Sequence, residues 1–274
     1  MLEIPESYTI SKQLVQAIKG KTIESVYANS SPHGFAFYSG DPATYSDLLC
    51  EKTVQDATFS GGLVEVSLEN TKLVFGDGVN VRYFTPDKPT PEKHQLHLLF
   101  TDGSSIICTI QMYGGIWAFI DGENPNPYYL VTKEKPSPLT DAFNQAYFAS
   151  IISNAKPTIS VKGLLATEQR IPGLGNGVLQ DILFLAKINP KRKLNSLSDN
   201  ELETLFNSVK NTLLQMVTLG GRDTEKDLFG APGGYKTILS NKTFKQPCPI
   251  CSGTITRQAY MGGNVYYCPV CQPL

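Results

Sequence analysis

Four of the six cysteines fall in the last 27 residues, as Cys248-Pro-Ile-Cys251 and, sixteen residues on, Cys268-Pro-Val-Cys271. Each C-x-x-C pair lets two thiolates reach one tetrahedral Zn²⁺ from a single tight turn. Two pairs at this separation close the site through a β-hairpin. The hairpin strands expected are 253–256 and 264–267, joined around Met261-Gly262-Gly263. Four thiolates leave no open coordination position, so Cys248, Cys251, Cys268 and Cys271 predict one structural Zn²⁺. A disulfide pair or a redox C-x-x-C is the alternative, and it fits poorly with two matched pairs in a chain that reads as cytoplasmic. Cys50 and Cys108 stand alone in apolar surroundings and read as small core residues.

A second chemical feature is Ile171-Pro-Gly-Leu-Gly-Asn-Gly-Val-Leu-Gln180. Glycines ahead of a helix free backbone N–H groups that can hold an anion such as a phosphate. No strand precedes this run, so it is not a dinucleotide fingerprint. It suggests a helix, two turns and a second helix, with Asn176 placed to offer its amide to a phosphate oxygen. Lys191-Arg192-Lys193 follows Asn189-Pro190 and by itself reads as a solvated turn.

These groups must be held by a chain of 274 residues, 41% hydrophobic and 18% charged. That length suggests two domains and a small appendage. The composition excludes disordered and collagen-like classes, and no apolar stretch is long enough to span a membrane. The N-terminus, Met1-Leu2-Glu3-Ile4-Pro5-Glu6, is acidic where a secretory signal is basic, so a cytoplasmic location is expected. A net charge of −1 argues mildly against nucleic acid, but the average hides a division. Residues 1–150 hold 10 basic and 17 acidic groups; residues 151–274 hold 14 and 8. A basic half carried on an acidic body hints at a nucleic-acid-binding face.

Apolar spacing predicts a helix over 6–19, stopped by Gly20. Short runs at 22–27, 34–38, 63–68, 72–75, 96–100, 105–110 and 115–120, parted by turn residues, predict an all-β sandwich or barrel. Asp121–Asn126 and Glu134–Pro138 mark a linker. Helical periodicity returns at 139–153, 161–167, 177–186 and 198–217, the last with Ser198 or Asp199 as its cap. A Gly/Asp-rich loop from Gly220 to Gly234 precedes the cysteine hairpin.

Along nearly the whole chain, Glu3-Ile-Pro-Glu6, Pro91-Glu-Lys-His94, Pro138-Leu139, Lys162-Gly-Leu-Leu165, Pro172-Gly-Leu-Gly-Asn176, Asp181-Ile-Leu-Phe184, Ile188-Asn-Pro190, Gly220-Gly221 and the cysteine hairpin occur in an order that resembles the formamidopyrimidine-DNA glycosylase/endonuclease VIII family. The resemblance implies a bilobal α+β protein. Residues 1–125 would form an N-terminal β-sandwich with flanking helices, 138–240 a helical helix-two-turn-helix domain, and 241–274 the four-cysteine zinc β-hairpin. It implies a monomer that clamps duplex DNA, turns a damaged base out of the stack, and displaces it with an N-terminal amine. An imine then forms and the strand is cut at the abasic site. An α-amine of pKa about 7.7–8 is partly neutral and nucleophilic at pH 7. Glu3 matches the residue that transfers protons and Glu6 the second acidic residue, although both can simply cap the first helix. Lys162 and Asn176, with His94, match the phosphate-gripping groups.

The departures gather at the chemistry. Position 2 of the pattern is Pro; here it is Leu2. Initiator Met is removed only ahead of a small residue, so Met1 is expected to stay and to set its own amine one residue out of register. The pattern's β-hairpin Lys aligns with Gly62. Its gap-filling Met and Arg align with Val79 and with Met112-Tyr113. Its zinc-finger Arg aligns with Gly263, while Arg257 lies on the opposite strand. Two functions follow: a divergent DNA glycosylase and abasic-site lyase that works through the amine of Leu2 or Met1, or by a purely hydrolytic route through Glu3, or a non-catalytic binder of damaged or abasic DNA. A scaffold or RNA-binding protein on the same fold is a third.

Overall fold

The computed structural model describes residues 2–274. The first helix, α1 (Ile4–Ile18), begins two residues earlier than the periodicity indicates. Pro5 is pre-set for a first turn, and Glu6 Oε2 accepts the backbone N–H of Glu3 at 3.3 Å. Nine strands follow within the first 120 residues: β1 (Ile23–Ala28), β2 (Ala36–Tyr38), β3 (Val54–Ser60), β4 (Leu63–Leu68), β5 (Thr71–Phe75), β6 (Val79–Phe84), β7 (Leu96–Phe100), β8 (Ser105–Ile110) and β9 (Gly114–Ile120). They form a five-stranded sheet in the order β2-β9-β5-β4-β3 and a four-stranded sheet in the order β1-β7-β8-β6. Pairing is antiparallel except between β2 and β9.

Between the sheets Val64, Val66, Leu73 and Phe75 meet Val81, Leu98, Phe100, Ile106 and Cys108. Ile10, Leu14 and Ile18 of α1 complete that core. Helix α2 (Tyr45–Leu49) adds Tyr45 and Leu49 to it. The segment expected as a plain linker contains helix α3 (Pro127–Glu134), whose Tyr129 packs on Leu63, Val74, Trp117 and Phe119. This covers the outer face of the five-stranded sheet, which is why β4 and β9 are buried on both sides.

The second lobe holds α4 (Gln145–Ser153), α5 (Val161–Ala166), α6 (Asn176–Leu185) and α7 (Asp199–Thr218) around a core of Phe143, Phe148, Leu164, Leu179, Ile182, Leu205, Val209 and Leu213. Ser198 caps α7, and Glu201 returns a bond to the Ser198 N–H at 2.8 Å. Ile4 lies in this second core although the rest of α1 serves the first, so α1 belongs to both lobes. The last hairpin, β10 (Thr256–Tyr260) and β11 (Gly263–Tyr267), turns at Met261-Gly262; its first strand runs three residues later than the apolar pattern implied. Among the described residues, no helix is long and apolar enough to cross a membrane.

Candidate functional site

The α5–α6 turn projects the N-terminus of α6 toward the start of α1. Glu3 Oε1 accepts the Gly177 N–H and Glu3 Oε2 the Val178 N–H, each at 2.8 Å. The carboxylate therefore satisfies two of the unpaired amides of α6 and lies at the positive end of its dipole. The side chain of Glu3 ties the two lobes together, and Glu3 also starts α1, where its carbonyl accepts Ser7 N–H at 2.9 Å. Glu6 faces Arg222: Nε donates to Oε1 at 2.9 Å and Nη2 to Oε2 at 2.7 Å, while the Arg222 backbone N–H also reaches Oε1 at 3.2 Å. Arg222 Nη1 lies 3.5 Å from Glu3 Oε2. All three side chains are buried. Burial raises the Glu3 pKa, against the lowering pull of Arg222 and with the help of the Glu6 charge. The same two carboxylates hold the Arg222 pKa above its ordinary value despite burial.

Leu2 is 4% exposed and belongs to the β-lobe core. Beside it the β3–β4 turn closes on backbone alone. A Cβ at Gly62 would stand 3.0 Å from the Leu2 carbonyl and 3.2 Å from the Gly173 Cα. A side chain at the position aligned with a lysine would thus need the backbone beside it to give by a few tenths of an ångström. Ser7 Oγ secures the turn by donating to the Gly61 carbonyl at 2.7 Å. The amine attributed to Met1 lies outside the described residues.

The basic candidates meet at the cysteine hairpin. Lys162, buried on α5, donates to the Tyr260 carbonyl at 2.6 Å, and burial lowers its pKa. Asn176 Nδ2 donates to the Asn264 carbonyl at 3.0 Å, which leaves its buried Oδ1 without a partner among the described residues. Gln180, one turn on, donates to the same carbonyl at 3.2 Å and accepts the Tyr266 N–H at 3.0 Å. A Cβ on Gly263 would lie 3.4 Å from Asn176 Nδ2 and 3.7 Å from Lys162 Nζ. The place of the missing arginine therefore opens directly onto Lys162 and Asn176. His94 is elsewhere, against His97 at 5.4 Å between ring centres and the Pro91 carbonyl at 3.2 Å. Val79 is buried at the start of β6, whereas Met112 is 69% exposed on the β8–β9 turn. Its neighbour Tyr113 donates to Asp77 Oδ2 at 2.9 Å. The Arg257 guanidinium lies over the Phe244 ring at 5.5 Å.

The four hairpin cysteines are free thiols whose sulfurs all lie within 4.8 Å of one another. Cys248 and Cys271 sulfurs are 3.8 Å apart and those of Cys251 and Cys268 are 3.4 Å apart. A tetrahedron with Zn–S bonds of about 2.3 Å has edges of about 3.8 Å, so this cluster can hold a zinc ion. Behind it Phe184, Leu239, Ile255 and Tyr266 form a small core that fixes the hairpin to α6.

Arg222 and Gln180 escaped the sequence reading. Gln180 closes the glycine-rich run, which drew attention to Asn176 instead, and the only cue to Arg222 is its place after Gly220-Gly221.

A sandwich joined through an N-terminal glutamate to the second helix of a two-turn motif, backed by a four-thiol hairpin, defines the helix-two-turn-helix class of glycosylase fold. Residues 135–227 match the model of the formamidopyrimidine-DNA glycosylase H2TH domain. Over 99% of both chains, the protein is 26% identical to a formamidopyrimidine-DNA glycosylase of Bacillus subtilis (strain 168). It is 27% identical to that of Wolbachia pipientis wMel, over 99% of this chain and all of the relative. The crystal structure of Lactococcus lactis Fpg in complex with DNA containing an abasic site superposes with a TM-score of 0.83 at 25% identity, covering 99% of this chain and 100% of the other. The chain thus carries a helix-two-turn-helix domain of the formamidopyrimidine-DNA glycosylase type and is similar to DNA-repair glycosylases of that name along nearly its whole length.

Proposed function

We propose that this protein binds duplex DNA carrying a damaged or abasic site and does so as a clamp that has lost turnover. Units 1–125, 138–240 and 241–274 are the working parts, and a monomer is sufficient. The observation that carries the reading is the state of position 2. Leu2 is a core residue, and the neighbouring position 62 is a glycine, which supplies no side-chain amine in its place. Imine chemistry needs a neutral amine free to approach the sugar C1′. Lys162 and Asn176 would grip backbone phosphate once a phosphate oxygen replaces the Tyr260 and Asn264 carbonyls as their acceptor. One structural Zn²⁺ on Cys248, Cys251, Cys268 and Cys271 would supply the rigidity that keeps those carbonyls, and the Gly263 gap, in place.

A second reading, base excision with strand cleavage at the abasic site, draws support from Glu3. A buried carboxyl of raised pKa beside the N-terminus is a suitable proton donor to a leaving base. Fluorescence anisotropy with an abasic duplex, together with a denaturing gel of the same mixtures, separates the two. The clamp reading expects affinity to fall steeply between about 50 and 200 mM salt with the strand left intact. Salt-independent affinity would refute DNA clamping, and a cut strand would establish the second reading.

A further inference from the structure

The basic run Lys191-Arg192-Lys193, a solvated turn by its sequence alone, divides its three charges. Arg192 works inside the helical lobe, where its guanidinium pairs with Glu201 and Nη2 donates to Oε2 at 3.2 Å. Lys193 is exposed and has no carboxylate partner among the described residues. Lys191 turns the other way, to the cysteine hairpin, and its Nζ donates to Gln258 Oε1 at 3.3 Å. Its backbone is pinned to the same hairpin. Lys191 N–H donates to Asn189 Oδ1 at 3.0 Å, and Asn189 Nδ2 donates to the Gln272 carbonyl at 2.9 Å. Gln272 Nε2 returns a bond to the Ile188 carbonyl at 2.9 Å. Asn189 and Gln272 are both buried, so this turn and the end of the hairpin form one unit.

Gln258 Oε1 is bonded twice, because Tyr267 Oη also donates to it at 3.3 Å. The two donors fix the carboxamide, since the reverse orientation would set its amide hydrogens against an ammonium. Gln258 Nε2 therefore points away from both and has no partner among the described residues. Lys191 likewise pairs with no carboxylate among the described residues, and the sequence from Leu228 to Leu274 contains no Asp or Glu.

These donors share a face with Lys162 and Asn176. Gly263, whose Cβ would point at Lys162 Nζ and Asn176 Nδ2, pairs with Tyr260, and Gln258 lies two residues earlier on the same strand. Residues two apart on a strand project to one side, about 7 Å from each other. A DNA strand advances about 3.4 Å along its axis per nucleotide, so this spacing matches about two nucleotides.

The geometry points to a second phosphate seat on this face: the Lys191 ammonium and the Gln258 amide hydrogens, backed by Tyr267, take a DNA backbone phosphate within about two nucleotides of the one gripped by Lys162 and Asn176. The inference rests on the DNA-binding reading above. An ammonium releases a counterion on binding and a carboxamide does not, so the two residues differ in their salt response.

The test is anisotropy titration of the full chain with duplex DNA between about 50 and 200 mM salt. One ionic phosphate contact adds about 0.9 to the log–log slope, equivalent to about eightfold in affinity on going from about 1 M to about 0.1 M salt. Lys191→Ala should therefore weaken binding by about eightfold at about 0.1 M and lower the slope by about 0.9, whereas Lys191→Arg should keep the wild-type slope. Gln258→Ala should weaken binding by about threefold with the slope unchanged. Lys193→Ala, in the same run but off the hairpin, should stay within about twofold of wild type. Replacing the DNA phosphates one at a time by methylphosphonate gives a second readout. At one position the loss should be about eightfold for wild type and absent for Lys191→Ala, within about two nucleotides of the position coupled in the same way to Lys162. Wild-type affinity and slope in Lys191→Ala, an equal loss in Lys193→Ala, or no phosphate coupled to Lys191 would overturn the second seat and leave the clamp standing. Wild-type affinity that does not change with salt would overturn the clamp reading itself.

Discussion

Replacing Arg222 with alanine isolates the largest electrostatic commitment in the structure. The side chain makes bonds of 2.9 and 2.7 Å to Glu6 and approaches Glu3 at 3.5 Å, with all three groups buried. Its removal leaves two carboxylates facing each other out of water, with only backbone N–H groups to receive them. Deleting one partner of a buried ion set costs about 3–5 kcal/mol, because the abandoned charge keeps its desolvation penalty. Against a total stability of about 5–15 kcal/mol this is severe. It corresponds to a fall in Tm of roughly 6–20 °C for a chain of this size. The deficit should depend on pH. In the wild type the Glu3 pKa is already raised, so the stability linked to its protonated form is complete below the unfolded value and lost as pH rises through the folded one. Without Arg222 the folded value rises further, and the variant should lose more ground at pH 7.5 than at pH 5. Urea unfolding followed through Trp117, the single tryptophan, reads the β-lobe directly. Arg222→Met combined with Glu6→Gln should recover much of the loss. A variant within about 1 kcal/mol of wild type at pH 7.5, or an equal deficit at both pH values, would refute the buried-network account.

Chelation of zinc, or Cys251→Ser, should unravel 248–271 and weaken DNA binding together, since ligation energy in such hairpins is folding energy; amide exchange over β10 and β11 reads the first effect and anisotropy the second. Lys162→Ala or Asn176→Ala should weaken binding across all duplex sequences and lower the salt slope by about 1 in a log–log titration. The Lys21 ammonium, 2.7 Å from Asp102, holds that carboxyl down to about 2. Its contribution is present above the unfolded pKa of about 3.9 and lost as pH falls through the folded one; with Asp102 half exposed, Asp102→Asn should cost no more than about 1 kcal/mol at pH 7 in urea melts and less at pH 3.

The parts legible in the sequence are those with a local signature. Cysteine spacing marked the four-thiol cluster, and the Gly-Leu-Gly-Asn run marked the start of α6. Strands buried on one or both faces showed their apolar pattern. The two strands absent from the sequence reading, β3 and β6, are outer strands of their sheets with half-exposed residues, so their period is diluted. Helix α3 was hidden because it buries little more than Tyr129 and Thr132 and directly follows the Pro- and Asn-rich run 121–126. The interior of the site was illegible for a different reason. Arg222 meets Glu6 across 216 positions and Leu228 meets Gln13 across 215, and neither pairing leaves a trace in spacing or composition. The basic surplus of the second half was visible, yet Lys162 uses its charge inward, on the hairpin carbonyl of Tyr260.

The most direct test of lost turnover uses protein with its natural N-terminus, its intact mass recorded, mixed with abasic-site duplex and reduced with borohydride. A clamp without a usable amine predicts stable binding by anisotropy and no covalent protein–DNA species on a denaturing gel. A trapped species, abolished when the N-terminal amine is blocked, would contradict the account and return the chain to the lyases.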